Sequence, residues 1–88
     1  MRSNSLNKYG LHHIAGVDWL ERVDAESYFN DLTGLRSFKH YRRKTGFQFV
    51  QGTDYINHGE GNKAYYTPDS IARFAKTVNE FVNETANT

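Results

Sequence analysis

The chain contains no cysteine. Small secreted domains usually depend on disulfides, so this absence points to a reducing compartment and a cytoplasmic location. It also removes the thiolates from which most structural zinc sites are built. Long apolar runs are missing too. No stretch approaches the length that crosses a bilayer, and the first ten residues, MRSNSLNKYG, lack the apolar stretch of a signal peptide. No membrane partner is expected. No glycine-rich loop leads into Lys-Ser or Lys-Thr, and no nucleophile motif surrounds any serine. The ten carboxylates form no pair whose spacing demands acid–base work. The expectation is a protein that is not an enzyme and uses no cofactor. A metal site is not expected either, because the adjacent His12 and His13 would diverge on a strand.

What is present is aromatic. Six Phe, six Tyr and one Trp make up 15% of 88 residues, while all hydrophobic residues together reach only 38%. A chain of this size buries about 60% of its unfolded surface, so a few large rings must carry one modest core. Charge is the second feature. The net value is only +1, but residues 1–35 carry −2, residues 36–63 carry +4 and residues 64–88 carry −1. Five of the eleven Lys and Arg residues fall in LTGLRSFKHYRRKTGF, residues 32–47, which holds no acid. Charge segregated in this way sets up a local field that attracts anions.

Hydrophobic spacing places the elements. IAGVDWLERV, residues 14–23, reads as a short strand with Val17, Trp19 and Val23 on one parity. DAESYFNDLTG, residues 24–34, reads as a helix capped by Asp24, with Ala25, Tyr28, Phe29 and Leu32 on one face and Gly34 as its left-handed stop. After a tight turn, Ser37 caps a second helix that Gly46 ends. Phe38 and Tyr41 point inward there, with Leu35 packing from the turn, while Arg36, Lys39, His40 and Arg43 share the opposite side, flanked by Arg42 and Lys44. Residues 47–66 read as β-structure. FQFV alternates, and TDYIN and NKAYY form a hairpin with its tip at Gly59–Asn62. In YTPDSIARFAKTVNEFV, Thr67 is an N-cap, Pro68 takes the first helical position, and Ile71, Phe74, Ala75, Val78, Phe81 and Val82 keep helical spacing. The expected organisation is a flexible arm over 1–16, one α+β domain over 17–82 and a frayed tail over 83–88. Short strand, helix-turn-helix, β-hairpin wing and C-terminal helix is the layout of a winged helix-turn-helix.

This layout makes the basic stripe a candidate DNA-binding surface. Arg36, Ser37, Lys39, His40, Arg42, Arg43 and Lys44 would meet phosphates and the major groove, with Asn62 and Lys63 of the wing on the flanking backbone. The competing reading is a solvated helix face, which is how most charge runs end. Glu60 at the wing tip would repel phosphate. The rings of AYYTPDSIARF read as core and helix-docking contacts, with base stacking the alternative.

LTGLRSFKHYRRKTGF resembles the helix-turn-helix of the MerR and phage excisionase superfamily, with its Leu-Thr-Gly-aliphatic turn, basic recognition helix and Gly-hydrophobic exit. GTDYINHGEGNKAYYTPDSIARF is similar to the wing and following helix of small excisionase-like proteins. The likeness spans residues 17–76. The segment from Gly34 to the Gly46-Phe47 exit is about two residues shorter than in MerR regulators, and their dimerising coiled coil and sensor cysteines are missing. A second likeness competes: HYRRKTGFQFVQGTDYI is similar to phage antirepressor N-terminal domains. The first resemblance implies an excisionase, or recombination directionality factor, or a small transcriptional regulator of a phage or mobile element. Such a protein binds and bends double-stranded DNA as a dimer or cooperative array and works with a recombinase. The alternative is a protein-interaction module, such as an antirepressor or an inhibitor of a host protein, that presents Phe81 and Val82.

Overall fold

The computed structural model describes residues 9–86. The fold is α+β, a small antiparallel sheet with three helices. In chain order the elements are β1 (Leu11–Ile14), β2 (Val17–Glu21), α1 (Arg22–Thr33), α2 (Phe38–Thr45), β3 (Tyr55–His58), β4 (Lys63–Tyr66) and α3 (Pro68–Ala86). The four strands run in the order β1-β2-β4-β3, with every neighbouring pair antiparallel. The central pair joins chain segments on either side of the two middle helices, with Leu20 opposite Tyr66 and Glu21 opposite Tyr65.

Several sequence expectations need correction. Residues 11–14, assigned to a flexible arm, form β1, and Tyr9 ahead of it is buried. Residues 1–8 of that arm lie outside the described residues. The β1–β2 hairpin turns on Ala15 and Gly16, both at positive φ (53° and 80°). This is the backbone hand of a two-residue hairpin turn, where Asn-Gly is the usual signal. The strand assigned to 14–23 stops at Glu21, because α1 takes over at Arg22 and leaves Val23 65% exposed on a helix. Glu21, not Asp24, occupies the N-cap position, and Asp24 lies in the first turn. FQFV is no strand: Phe47 and Phe49 lie in an irregular segment and both turn into the core. Residues 83–86 of the assigned tail continue α3, and 87–88 are outside the described residues.

Both middle helices end by one device. Thr33 donates its hydroxyl to the Phe29 carbonyl and accepts from the Leu35 N–H; Thr45 does the same with Tyr41 and Phe47. The glycines between, Gly34 and Gly46, stand in the left-handed region at φ 75° and 71°. Each Thr-Gly pair turns the next residue, Leu35 or Phe47, back against the core.

The core is a cluster of rings. Phe74 of α3 is fully buried and meets Phe29 of α1 at 5.0 Å, Phe38 of α2 at 5.1 Å, and Phe47 and Phe49 at 5.1 and 5.4 Å. Leu20 and Tyr66 supply the sheet side. Ring pairs at these separations add to the area they bury. Thr67 caps α3 as its sequence predicts, accepting from the Ser70 N–H at 3.1 Å.

Buried Asp54 ties the irregular segment to α3. Its carboxylate accepts from the Val50 N–H at 3.0 Å and from Arg73 at 2.6 Å, and its carbonyl accepts from the Thr67 N–H and the Ser70 hydroxyl. Burial opposes its ionisation, but the Val50 N–H and the Arg73 guanidinium outweigh burial and hold its carboxyl below the usual range. The GTDY stretch of the antirepressor-like likeness is thus a fastening of the fold. Tyr9 is fastened too: its hydroxyl donates to Asp31, and burial followed by that bond and charge pushes its phenol pKa up.

Candidate nucleic-acid interface

The α2 helix is short and strongly two-sided. Phe38 is buried, and Tyr41 and Thr45 are half-buried on the same side. Phe38 is held by rings from three directions, so the helix is fixed from beneath. Lys39, His40 and Arg43 are exposed on the other side, Lys44 is exposed toward α3, and Arg36 is exposed just ahead of the helix. No carboxylate comes within 4.0 Å of Arg36, Lys39, Arg42, Arg43 or Lys44 among the described residues.

Helix electrostatics divides these cations. Arg42, Arg43 and Lys44 lie in the last turn, where the dipole favours positive charge, so helix stability accounts for part of their presence. Arg36 and Lys39 lie at the opposite end, where the unpaired N–H groups already carry partial positive charge. No acid occupies the first turn, and Ser37 makes no side-chain cap bond. Cations at that end cost the helix stability.

The predicted residues do not all share one surface. Lys39, Arg42 and Arg43 border a shallow groove with Gln48. Arg42 is half-buried, with its guanidinium 5.2 Å from the centre of the Phe49 ring, so it serves the fold as well as the surface. Lys44 faces the other way and shares a depression with Glu80 and Glu84 of α3, which dilute its field. His40 rests edge-on against Tyr41 at 4.9 Å. Ser37 and Arg36 border a second depression with Lys39, Arg22 and Glu26.

The hairpin tip is where the sequence places it, with Asn62 at φ 51°. Lys63 is partly neutralised by Glu21 at 3.5 Å, a carboxylate that His12 also approaches at 3.9 Å. Asn62 and Lys63 border a depression whose far wall is Arg22 and Val23. Arg22 is the residue that sequence reasoning missed. It reads as a lone charge in an acidic stretch, and only the start of α1 at that residue brings it between tip and α2. The two neighbouring histidines do separate: His12 meets Tyr65 at 5.2 Å, and His13 pairs with Asp18 at 2.9 Å.

Phe81 and Val82, the anchors of the protein-interaction reading, are half-buried. Phe81 lies 6.4 Å from the Tyr41 ring, and Val82 packs on the core. Among the described residues no helix is long and apolar enough to cross a membrane. No protein-family model matches the chain, and no curated protein or solved structure matches it either.

Proposed function

We propose that the protein binds double-stranded DNA as a winged helix-turn-helix, with α2 in the major groove and the β3–β4 hairpin as the wing. The observation that carries this reading is the placement of Arg36 and Lys39. Both are exposed, without an ion pair among the described residues, and set at the helix end that disfavours them, so an external anion is the partner that suits their charge. Arg43 and Gln48 extend the same surface. Around them, α1, the turn at 34–37 and α2 form a helix-turn-helix whose second helix is held rigid by Phe38. Arg offers bidentate contact to guanine, and Lys offers phosphate contact. The excisionase resemblance makes recombination directionality or small-scale transcriptional control in a phage or mobile element the role that fits. A helix of eight residues reaches few base pairs, so useful specificity requires a dimer, a cooperative array or a recombinase partner.

Fluorescence anisotropy of a labelled mixed-sequence duplex tests the reading. Wild type and an Arg36/Lys39/Arg43→Ala variant are titrated from low to physiological salt. Wild type should show a log–log salt slope of a few units, and the variant should lose most of its affinity. Absence of binding by wild type at low salt would sink the proposal.

A further inference from the structure

The basic surface does not stop at α2. Arg22, the first residue of α1, stands in two depressions at once. It faces Asn62 and Lys63 of the hairpin tip in one, beside Glu21, and Arg36 and Lys39 in the other, beside Glu26. Lys39 in turn borders the groove of Arg43 and Gln48. The tip and α2 border separate depressions, and Arg22 lines both.

We propose that Arg22 is a phosphate contact that joins the hairpin tip and α2 into one continuous surface for the backbone of double-stranded DNA, an inference that rests on the DNA reading above. Its side chain is 58% exposed, and its ion pair is with Glu26 at 4.0 Å, itself 40% exposed. A long pair between exposed groups is held weakly and gives way to a doubly bonded phosphate. Arg22 also opens a helix, the end where the dipole disfavours a cation, so α1 gains little from its charge beyond that weak pair. Without it the tip has little to offer DNA, since Lys63 is shared with Glu21. Glu26 competes with phosphate for the same guanidinium, so it restrains binding.

The test uses the full chain, a labelled duplex, a single strand of equal length, and three variants: Arg22→Gln, Glu26→Gln and Lys76→Gln. Lys76 is an exposed cation on α3 that borders none of these depressions, so it controls for net charge. Far-UV circular dichroism confirms that each variant is folded. Arg22→Gln should weaken duplex binding roughly threefold to tenfold and lower the salt slope by about one. Glu26→Gln should tighten binding, and Lys76→Gln should leave slope and affinity near wild type. If the α2 triple variant loses binding while Arg22→Gln matches wild type, this inference is overturned and the DNA reading stands. If Lys76→Gln weakens binding as much as Arg22→Gln, the effect is one of net charge and the contact is refuted. Equal affinity for the single strand, with the same loss on Arg22→Gln, overturns the duplex assignment. If wild type binds no duplex at low salt, the DNA reading itself fails and takes this inference with it.

Discussion

At the scale of single residues, two charged side chains that look alike in sequence have different duties. Asp54 is buried and accepts from Val50 and Arg73. Its folded pKa lies below the unfolded value of about 3.9, so the stability it contributes is present above about pH 4. That stability is lost as pH falls through the folded pKa. Urea midpoints should therefore drop more steeply for wild type than for Asp54→Asn below pH 4. At pH 7, Asp54→Ala should cost about 2 kcal/mol, because the Val50 N–H loses its acceptor and Arg73 its buried partner. Arg42 and Arg43 are adjacent and look alike in sequence, yet differ in duty. Arg42 lies over Phe49, so Arg42→Ala should lower stability by about 0.5–1 kcal/mol besides weakening DNA. Arg43→Ala should weaken DNA binding and lower stability by less, since it loses only the favourable dipole contact that Arg42→Ala also loses. Melting curves paired with anisotropy separate the two, and equal melting temperatures for both variants would refute the role given to the Phe49 contact.

At the scale of elements, the repeated Thr-Gly-hydrophobic stop determines how α2 is presented. A Cβ at Gly34 or Gly46 would meet no atom within 4 Å, so substitution there costs backbone strain and no clash. Gly34→Ala and Gly46→Ala should each destabilise by about 1–2 kcal/mol, and Asn at either site should recover part of that. Chemical denaturation of the four variants checks this, and no difference between Ala and Asn would contradict it. These stops were legible in the sequence because glycine advertises a left-handed residue. So were α3, through Thr67 and Pro68, and the β3–β4 hairpin, through its Gly-rich tip. The β1–β2 hairpin was hidden because Ala15, a residue that rarely signals a turn, takes the left-handed position. FQFV misled because two rings packing inward from an irregular segment show the alternation of a strand. The candidate site was legible as a charged stripe on α2. Arg22 was not, since its neighbours in space come from α2 and the hairpin, and one-dimensional spacing carries no signal of that meeting.

At the scale of the whole molecule, the packing that places α2 converges on Phe74. It touches rings from α1, from α2 and from the irregular segment that follows α2, and it anchors all of them to α3. The orientation of α2, on which the proposed DNA reading depends, is thus a property of the core. Phe74→Ala should cost about 3–5 kcal/mol, which approaches the whole stability of a domain this small, and the chain should be largely unfolded. Phe74→Leu is the informative change, because it keeps bulk but loses the ring contacts, at about 1–2 kcal/mol. Its melting temperature should fall by several degrees while its DNA affinity at low temperature stays near wild type. On heating, its binding should vanish along its own unfolding curve. The Arg36/Lys39/Arg43→Ala variant should show the reverse, with melting near wild type, because the dipole cost relieved at Arg36 and Lys39 offsets the gain lost at Arg43, and with binding lost at every temperature. If Phe74→Leu lost affinity well below its melting transition, the ring contacts would be setting the angle of α2 directly. If it kept affinity above that transition, the charges would be acting without the fold, and the surface described here would be a basic segment and not a recognition helix.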